Sequence, residues 1–292
     1  MSTRWRIVDL VNYSGHVGVK RGNLVVKDSE VPLADVACIV TGDKTSWDAG
    51  FVSLTAQYEV PVVVCDWRNV PIATLTGWSS NSRVGARHQA QASLSIPREK
   101  NAWMRIVKEK INGQANNLNL FSSETSRLKQ LATEVRSGDP ANIEALAARI
   151  YWAHVFHPDD FQRDRNGKDR NPLLNYGYTI LRGAVIRGVV ISGLAPALGL
   201  WHRNRANAFA LADDLIEPFR PAIDHVVKSM EQTTNLRDPG VRQALVQTLT
   251  MPMSQTGETV NSAIVSLCQK YACYVEGDSD FLEVPTWSSP HG

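Results

Sequence analysis

"GWSSNSRVGARHQAQASLS", residues 77–95, separates two kinds of sequence. The stretch is polar, rich in Ser and Gly at its start, and has the composition of a domain boundary. Before it come short runs dominated by β-branched residues: "WRIVDLV", "HVGVK", "NLVVK", "VACIV", "VPVVVC" and "VPIATLT". Turn formers such as Ser14-Gly15, Gly22-Asn23 and Gly42-Asp43 lie between them. "GHVGVKRGNLVVKD" has the form of a hairpin with a tight turn around Arg21-Gly22-Asn23. One helix, near "WDAGFVSLTAQYE", interrupts the series. Such closely spaced strands suggest a compact sheet or sandwich rather than repeated βαβ units.

After the boundary, helical periodicity takes over. Helices are expected over about 98–112, 119–136, 140–156, 172–192, 206–217, 219–231 and 259–274. "SGDPANIEALAARIYW" carries a start signal, with Ser137 or Asp139 as N-cap and Pro140 at the first helical position. The expected architecture is therefore α+β in two domains. A small N-terminal β-rich domain (1–80) and a linker (81–97) precede a larger all-α domain (98–280) and a loose tail (281–292).

At 292 residues, 43% of them hydrophobic and 21% charged, the chain can bury a substantial core. No apolar run reaches transmembrane length, and "MSTRWRIVDLV" lacks a signal-peptide apolar region, so a cytoplasmic protein without a membrane partner is expected. The four cysteines show no CxxC pairing. Cys38 and Cys65 fall in strand-like runs and are expected as reduced core residues. A net charge of +2 says little about partners, but its distribution says more. Arg83, Arg87, Arg98, Lys100, Arg105, Lys108 and Lys110 stand against only Glu99 and Glu109 between positions 83 and 110. A solvated helix face is the ordinary reading; a phosphate-contact surface needs a second pointer to nucleic acid.

Three places put charge in apolar surroundings. The segment from Pro140 is apolar on nearly every side, as a central helix is, and Glu144 is its only carboxylate. Left in the first turn, Glu144 would simply offset the helix dipole. His202 closes "SGLAPALGLWHRN", a loop punctuated by Gly and Pro, where it is either an ordinary hydrogen-bonding residue or a neutral imidazole ligand. Asp213, Asp214 and Glu217 follow the apolar "NAFALA", with Arg220 a turn beyond, and Pro218 and Pro221 break the helix there. A surface pairing of Glu217 with Arg220 is the simple alternative. One histidine with several carboxylates is also a mixed donor set suited to Mg²⁺ or Mn²⁺, and such cations serve phosphodiester chemistry.

The blocks "IEALAARIYWAHVF", "RNPLLNYGYTILRGAVIRGVVISGLAPALGLWHRN" and "NAFALADDLIEPFRPAID" resemble the spacer-acquisition integrases, the CRISPR-associated endonuclease 1 family, most closely members of type II systems. The β-rich start and helical remainder also look like that family's layout. The resemblance implies a divalent-metal-dependent endonuclease and integrase. In this chemistry the 3′-hydroxyl of a short incoming DNA attacks a phosphodiester at the edge of a CRISPR repeat. It further implies that Glu144, His202 and Glu217 are catalytic and hold Mg²⁺ or Mn²⁺, with Asp214 touching the metal directly or through water. This sequence has Glu217 where many relatives outside type II have Asp. With DNA (spacer duplex and repeat) as implied partner, Arg83, Arg87, Arg163, Arg165, Lys168, Arg170 and Arg220 become candidate phosphate contacts. Other implied partners are a second copy of the chain, joined through the β domain, and a small dimeric protein of ferredoxin-like fold. In type II systems an RNA-guided effector nuclease and a ring-forming accessory protein are added. A structure-specific nuclease for branched DNA and a non-catalytic scaffold are the alternatives.

Overall fold

The computed structural model of the chain describes residues 6–67, 71–75, 77, 81–118, 122–157, 161–231, 234–255 and 257–288. Its first part forms two four-stranded sheets. In one, the order is β1 (Arg6–Leu10), β5 (Val36–Thr41), β7 (Val62–Cys65) and β8 (Pro71–Leu75). In the other it is β4 (Ser29–Pro32), β3 (Asn23–Val26), β2 (Gly15–Lys20) and β6 (Thr45–Trp47). The expected hairpin joins β2 to β3, with Lys20 opposite Asn23. Arg21 and Gly22 between them both have positive φ, 51° and 84°. A tight turn with two left-handed residues matches the twist of the flanking strands. Val17, Leu24, Leu33, Ile39, Phe51 and Val62 share one buried cluster, as in a sandwich.

One expectation needs correction. β5 pairs in parallel with both β1 and β7, and the chain returns from β5 to β7 through β6 and helix α1 (Ala49–Gln57), so a crossover unit is present after all. The physical reason lies in β5 itself, "VACIVT", buried at every position. A strand covered on both faces shows no alternation, and parallel strands are of this kind. Its Cys38 and Val40 join Val11, Val63 and Cys65 in a separate buried cluster. All four cysteines are free; Cys38, Cys65 and Cys268 are buried.

The remainder is helical: α2 (Val84–Ala92), α3 (Ile96–Asn116), α4 (Ser123–Glu134), α5 (Ile143–His154), α6 (Asn171–Ile191), α7 (Ala210–Leu215), α8 (Arg220–Lys228), α9 (Pro239–Gln247) and α10 (Val260–Glu276). The α+β class expected from the sequence is the class observed. α2 falls where a linker was expected. It is held rather than loose, because Arg83 and Arg87 both pair with Glu276 at the end of α10, at 2.6 and 2.9 Å. Residues 78–80 of the expected boundary lie outside the described residues.

α6 is the hub. A Cβ added at Gly177 would lie 2.4 Å from Ile223 of α8; at Gly183, 2.9 Å from Cys38 of β5; at Gly188, 2.8 Å from Cys268 of α10. Three glycines thus let three neighbours approach one helix closely. Tyr176 donates to Asp9 (2.5 Å) and Arg187 to the Glu59 carbonyl (3.0 Å), fastening the helical part to the sheet. The expected loose tail is also corrected. Leu282 and Trp287 are buried, and the Trp287 indole N–H donates to Asn117 Oδ1 at 2.8 Å. A large indole with a partner for its N–H docks readily; residues 289–292 lie outside the described set. Among the described residues no helix is long and apolar enough to cross a membrane.

Candidate active site

Glu144 is the second residue of α5, which starts three residues later than Pro140 would suggest. Asp139 still caps it: its two carboxylate oxygens accept the N–H groups of Ile143 and Glu144, each at 2.9 Å. Those are donors a helix start leaves without intrahelical partners. The Glu144 side chain is left free to reach α3, where the Lys110 ammonium meets it at 2.6 Å.

Glu217 reaches the same ammonium from a different element. The expected helix over 206–217 is shorter, since α7 ends at Leu215 and Glu217–Phe219 forms a 3-10 turn before α8. Pro218, lacking an N–H, enforces that break. The turn directs Glu217 inward, 6% exposed, while Asp213 on α7 points away to Arg182 Nε at 2.6 Å. Glu217 Oε1 accepts from Arg220 Nε at 2.8 Å, and Oε2 lies 2.6 Å from Lys110 Nζ. Burial opposes ionisation of Glu217, but the Arg220 guanidinium and the Lys110 ammonium outweigh it and hold its pKa at about 2. Burial likewise opposes charge on Lys110, and the Glu217 and Glu144 carboxylates overcome it, raising the pKa above the ordinary lysine value.

His202 stands in the loop ahead of α7 and is organised by Asp214, which is fully buried. Asp214 Oδ2 accepts the Trp201 N–H at 2.8 Å; Oδ1 accepts the His202 N–H at 3.2 Å and faces His202 Nδ1 at 2.5 Å. A carboxylate can only accept, so Nδ1 carries the proton and the neutral ring keeps its lone pair on Nε2. This is the arrangement by which an outer carboxylate orients a ligating imidazole. The hydrogen bond that His202 donates to Asp214 is the main reason the His202 pKa is raised. Trp103 meets the ring edge-on, 5.6 Å between centroids.

Glu144 and Glu217 therefore share one cation, both carboxylates act on His202 through charge, and among the described residues its Nε2 makes no hydrogen bond. Among the described residues no three acidic, histidine or cysteine side chains close on a common point. The donor set itself, two carboxylates and an imidazole, suits Mg²⁺ or Mn²⁺. The position it would fill already takes a positive charge. Glu217 Oε2 is buried and closes a 2.6 Å ion pair with the Lys110 ammonium. In donor type the residues fit a divalent cation, and the place between the two carboxylates is held here by Lys110. Both oxygens of Asp214 accept hydrogen bonds, from Trp201 and from His202, so Asp214 orients His202.

The candidate phosphate contacts divide. Arg170 is buried, donating to the Val227 and Met230 carbonyls, and is a structural residue. Arg87 is largely covered and also donates to the Ser192 carbonyl. Arg163 bonds Asn171 and Asn175, and Arg220 lies over the Tyr178 ring beside Glu217. Arg165 and Lys168 are exposed, as is Arg83 despite its pairing with Glu276. Two residues escaped the sequence reading. Lys110 stood out only as part of a basic run. Asp224, inside the quoted "RPAID", accepts the hydroxyls of Tyr151 (3.0 Å) and Tyr178; burial pushes its pKa up to about 6. An acid in an apolar helical run was the available signal.

Comparison with known proteins gives a consistent picture. Residues 10–245 match the family model described as CRISPR associated protein Cas1. The chain is 35% identical to the CRISPR-associated endonuclease Cas1 of Neisseria meningitidis serogroup C (strain 8013), over 84% of this chain and 83% of that protein. Among solved structures, a CAS1 protein from Thermotoga maritima has the same fold, with a TM-score of 0.76 at 19% identity, covering 97% of this chain and 99% of that one. A casposase bound to integration product gives a TM-score of 0.72 at 19% identity, covering 99% and 94%. A Cas6-RT-Cas1–Cas2 complex gives 0.75 at 18%, covering 97% of this chain and 36% of that one.

Proposed function

This chain belongs to the Cas1 family, and from that premise we propose that it is a divalent-metal-dependent DNA endonuclease and integrase. It joins the 3′-hydroxyl of a short DNA duplex to a phosphodiester at the edge of a CRISPR repeat. The observation that carries this reading is the meeting of Glu144 and Glu217, from separate stretches, on one cation position, beside a histidine whose Nδ1 is fixed by Asp214. Glu144, Glu217 and His202 Nε2 would hold Mg²⁺ or Mn²⁺. The ion would supply Lewis acidity toward the target phosphate and stabilise charge on the attacking or leaving oxygen. Arg220, held over Tyr178 with Nε on Glu217, keeps that carboxylate ionised and oriented. Exposed Arg165, Lys168 and Arg83 give sequence-independent phosphate contacts. A second copy of the chain, meeting it through the strand-rich part, and a small Cas2-like dimer complete the assembly. The casposase bound to integration product and the Cas6-RT-Cas1–Cas2 complex support strand joining and that partner by fold.

A second reading, the non-catalytic scaffold, draws support from the ion pairs themselves, since Lys110 and Arg220 already neutralise the carboxylates. One experiment separates the two. Full-length protein and its small partner are incubated with a short duplex and a supercoiled plasmid bearing a repeat, with Mg²⁺, Mn²⁺ or chelator. Strand-joined product is expected only with metal. It should fall at least about a hundredfold in Glu144→Ala, His202→Ala and Glu217→Ala. A duplex with blocked 3′ ends should give none. Joining that survives chelator or all three substitutions would sink the metal-dependent assignment. Cleavage without joining would point instead to the structure-specific nuclease.

A further inference from the structure

Lys110 is one cation of a basic run in the sequence, yet in the fold it is the group at which Glu144 and Glu217 meet. Its Nζ lies 2.6 Å from an oxygen of each, and its side chain is only 13% exposed. Two carboxylates brought this close repel unless a positive charge stands between them. Arg220 cannot serve alone, because it lies on the far oxygen of Glu217. Both contacts are close ion pairs at one ammonium, and a divalent cation in that place would meet the same two oxygens.

We propose that Lys110 is the resident counter-cation of this site: its ammonium holds Glu144 and Glu217 together before a divalent cation binds, and it withdraws when that cation enters. The inference rests on the divalent-cation reading given above and makes Lys110 a positioning residue. Two consequences follow from competition for one place. The lysine-filled form does not take the metal, so apparent affinity is lowered by the fraction of molecules in that form. The metal-free protein, for its part, is stabilised by an internal cation that removal would leave unreplaced.

The test is Mn²⁺ binding by calorimetry, with thermal unfolding in parallel, on full-length wild type, Lys110→Met and Glu144→Gln. Lys110→Met is expected to bind Mn²⁺ at least about tenfold more tightly than wild type. Without metal it should melt at a lower temperature, and saturating Mn²⁺ should raise its melting temperature by more than it raises that of wild type. Glu144→Gln is expected to lose affinity. Equal or weaker binding by Lys110→Met, with Glu144→Gln still losing it, overturns the role of Lys110 and leaves the site reading intact. Unchanged binding in Glu144→Gln overturns the site reading and the lysine's role with it. A measurement on wild type covers the case in which Lys110→Met does not fold. In ¹⁵N-lysine NMR, a side-chain ammonium with slowed proton exchange should be seen without metal and lost at saturating Mg²⁺; its persistence overturns the proposal.

Discussion

Glu217 and Asp224 stand on neighbouring turns, both buried, and their surroundings push them in opposite directions. Glu217 faces two cations and is held at about 2, below the ordinary glutamate value. Asp224 faces two tyrosine hydroxyls, which stabilise its anion less than burial penalises it, and stands at about 6. A raised acid binds its proton more tightly folded than unfolded. Its contribution is therefore present at low pH and lost as pH rises from about 4 to about 6. Asp224→Asn removes that dependence. Compared with wild type, the variant should be relatively more stable at pH 7.5 than at pH 4.5, by about 2 kcal/mol. Urea unfolding at the two pH values measures this, and a difference independent of pH would contradict it. His202 behaves as a base gaining a partner. The neutral ring still donates Nδ1–H to Asp214; the added stability of the charged pair is fully present below the ordinary histidine pKa of about 6.5 and is lost as pH rises through the raised value.

At the scale of elements, α6 explains how one helix serves three neighbours. Its glycines are sites of close approach rather than of flexibility, since each would place a Cβ within 3 Å of a neighbouring side chain. Gly177 matters most for the site, because Ile223 lies against it on the helix that follows Glu217. Gly177→Ala gains helix propensity of roughly 1 kcal/mol. The overpacking against Ile223 should exceed that and leave a net loss of about 1–2 kcal/mol. Ile223→Ala in the same chain, which removes the Cγ2 that the new Cβ would meet, should recover part of it. A double-mutant cycle by chemical unfolding reads the coupling, and additive effects would show that α6 and α8 do not press on each other here.

For the whole molecule, the segment ending at Trp287 does more than close the chain. Trp287 donates to Asn117, whose amide in turn donates to the Tyr151 hydroxyl (3.0 Å) and the Pro221 carbonyl (2.7 Å). One asparagine thus ties the C-terminal segment, α3, α5 and the start of α8 together, and three of these elements bear Lys110, Glu144 and Arg220. Trp287→Ala removes a fully buried indole and is expected to cost about 3–5 kcal/mol. Trp287→Phe should keep most of the packing and lose the hydrogen bond, worth about 1 kcal/mol. Thermal melts of the two variants check the order; equal losses would mean that packing contributes little.

The β-rich start, the helical character of the chain beyond residue 95 and most of the helices there were legible because each is a local pattern of apolar residues and turn formers. Glu144, His202 and Glu217 were legible as charge in apolar surroundings and through motifs shared with a family. Three things were decided only by the tertiary structure. The parallel pairing of β5 is hidden because a strand buried on both faces has no period. The docking of α2 and of the C-terminal segment depends on Glu276 and Asn117, each remote in sequence. Finally, the identity of the positive charge between Glu144 and Glu217 is a matter of which side chain α3 presents there. Local sequence sets the periodicity of an element, and only packing brings distant charges to one point.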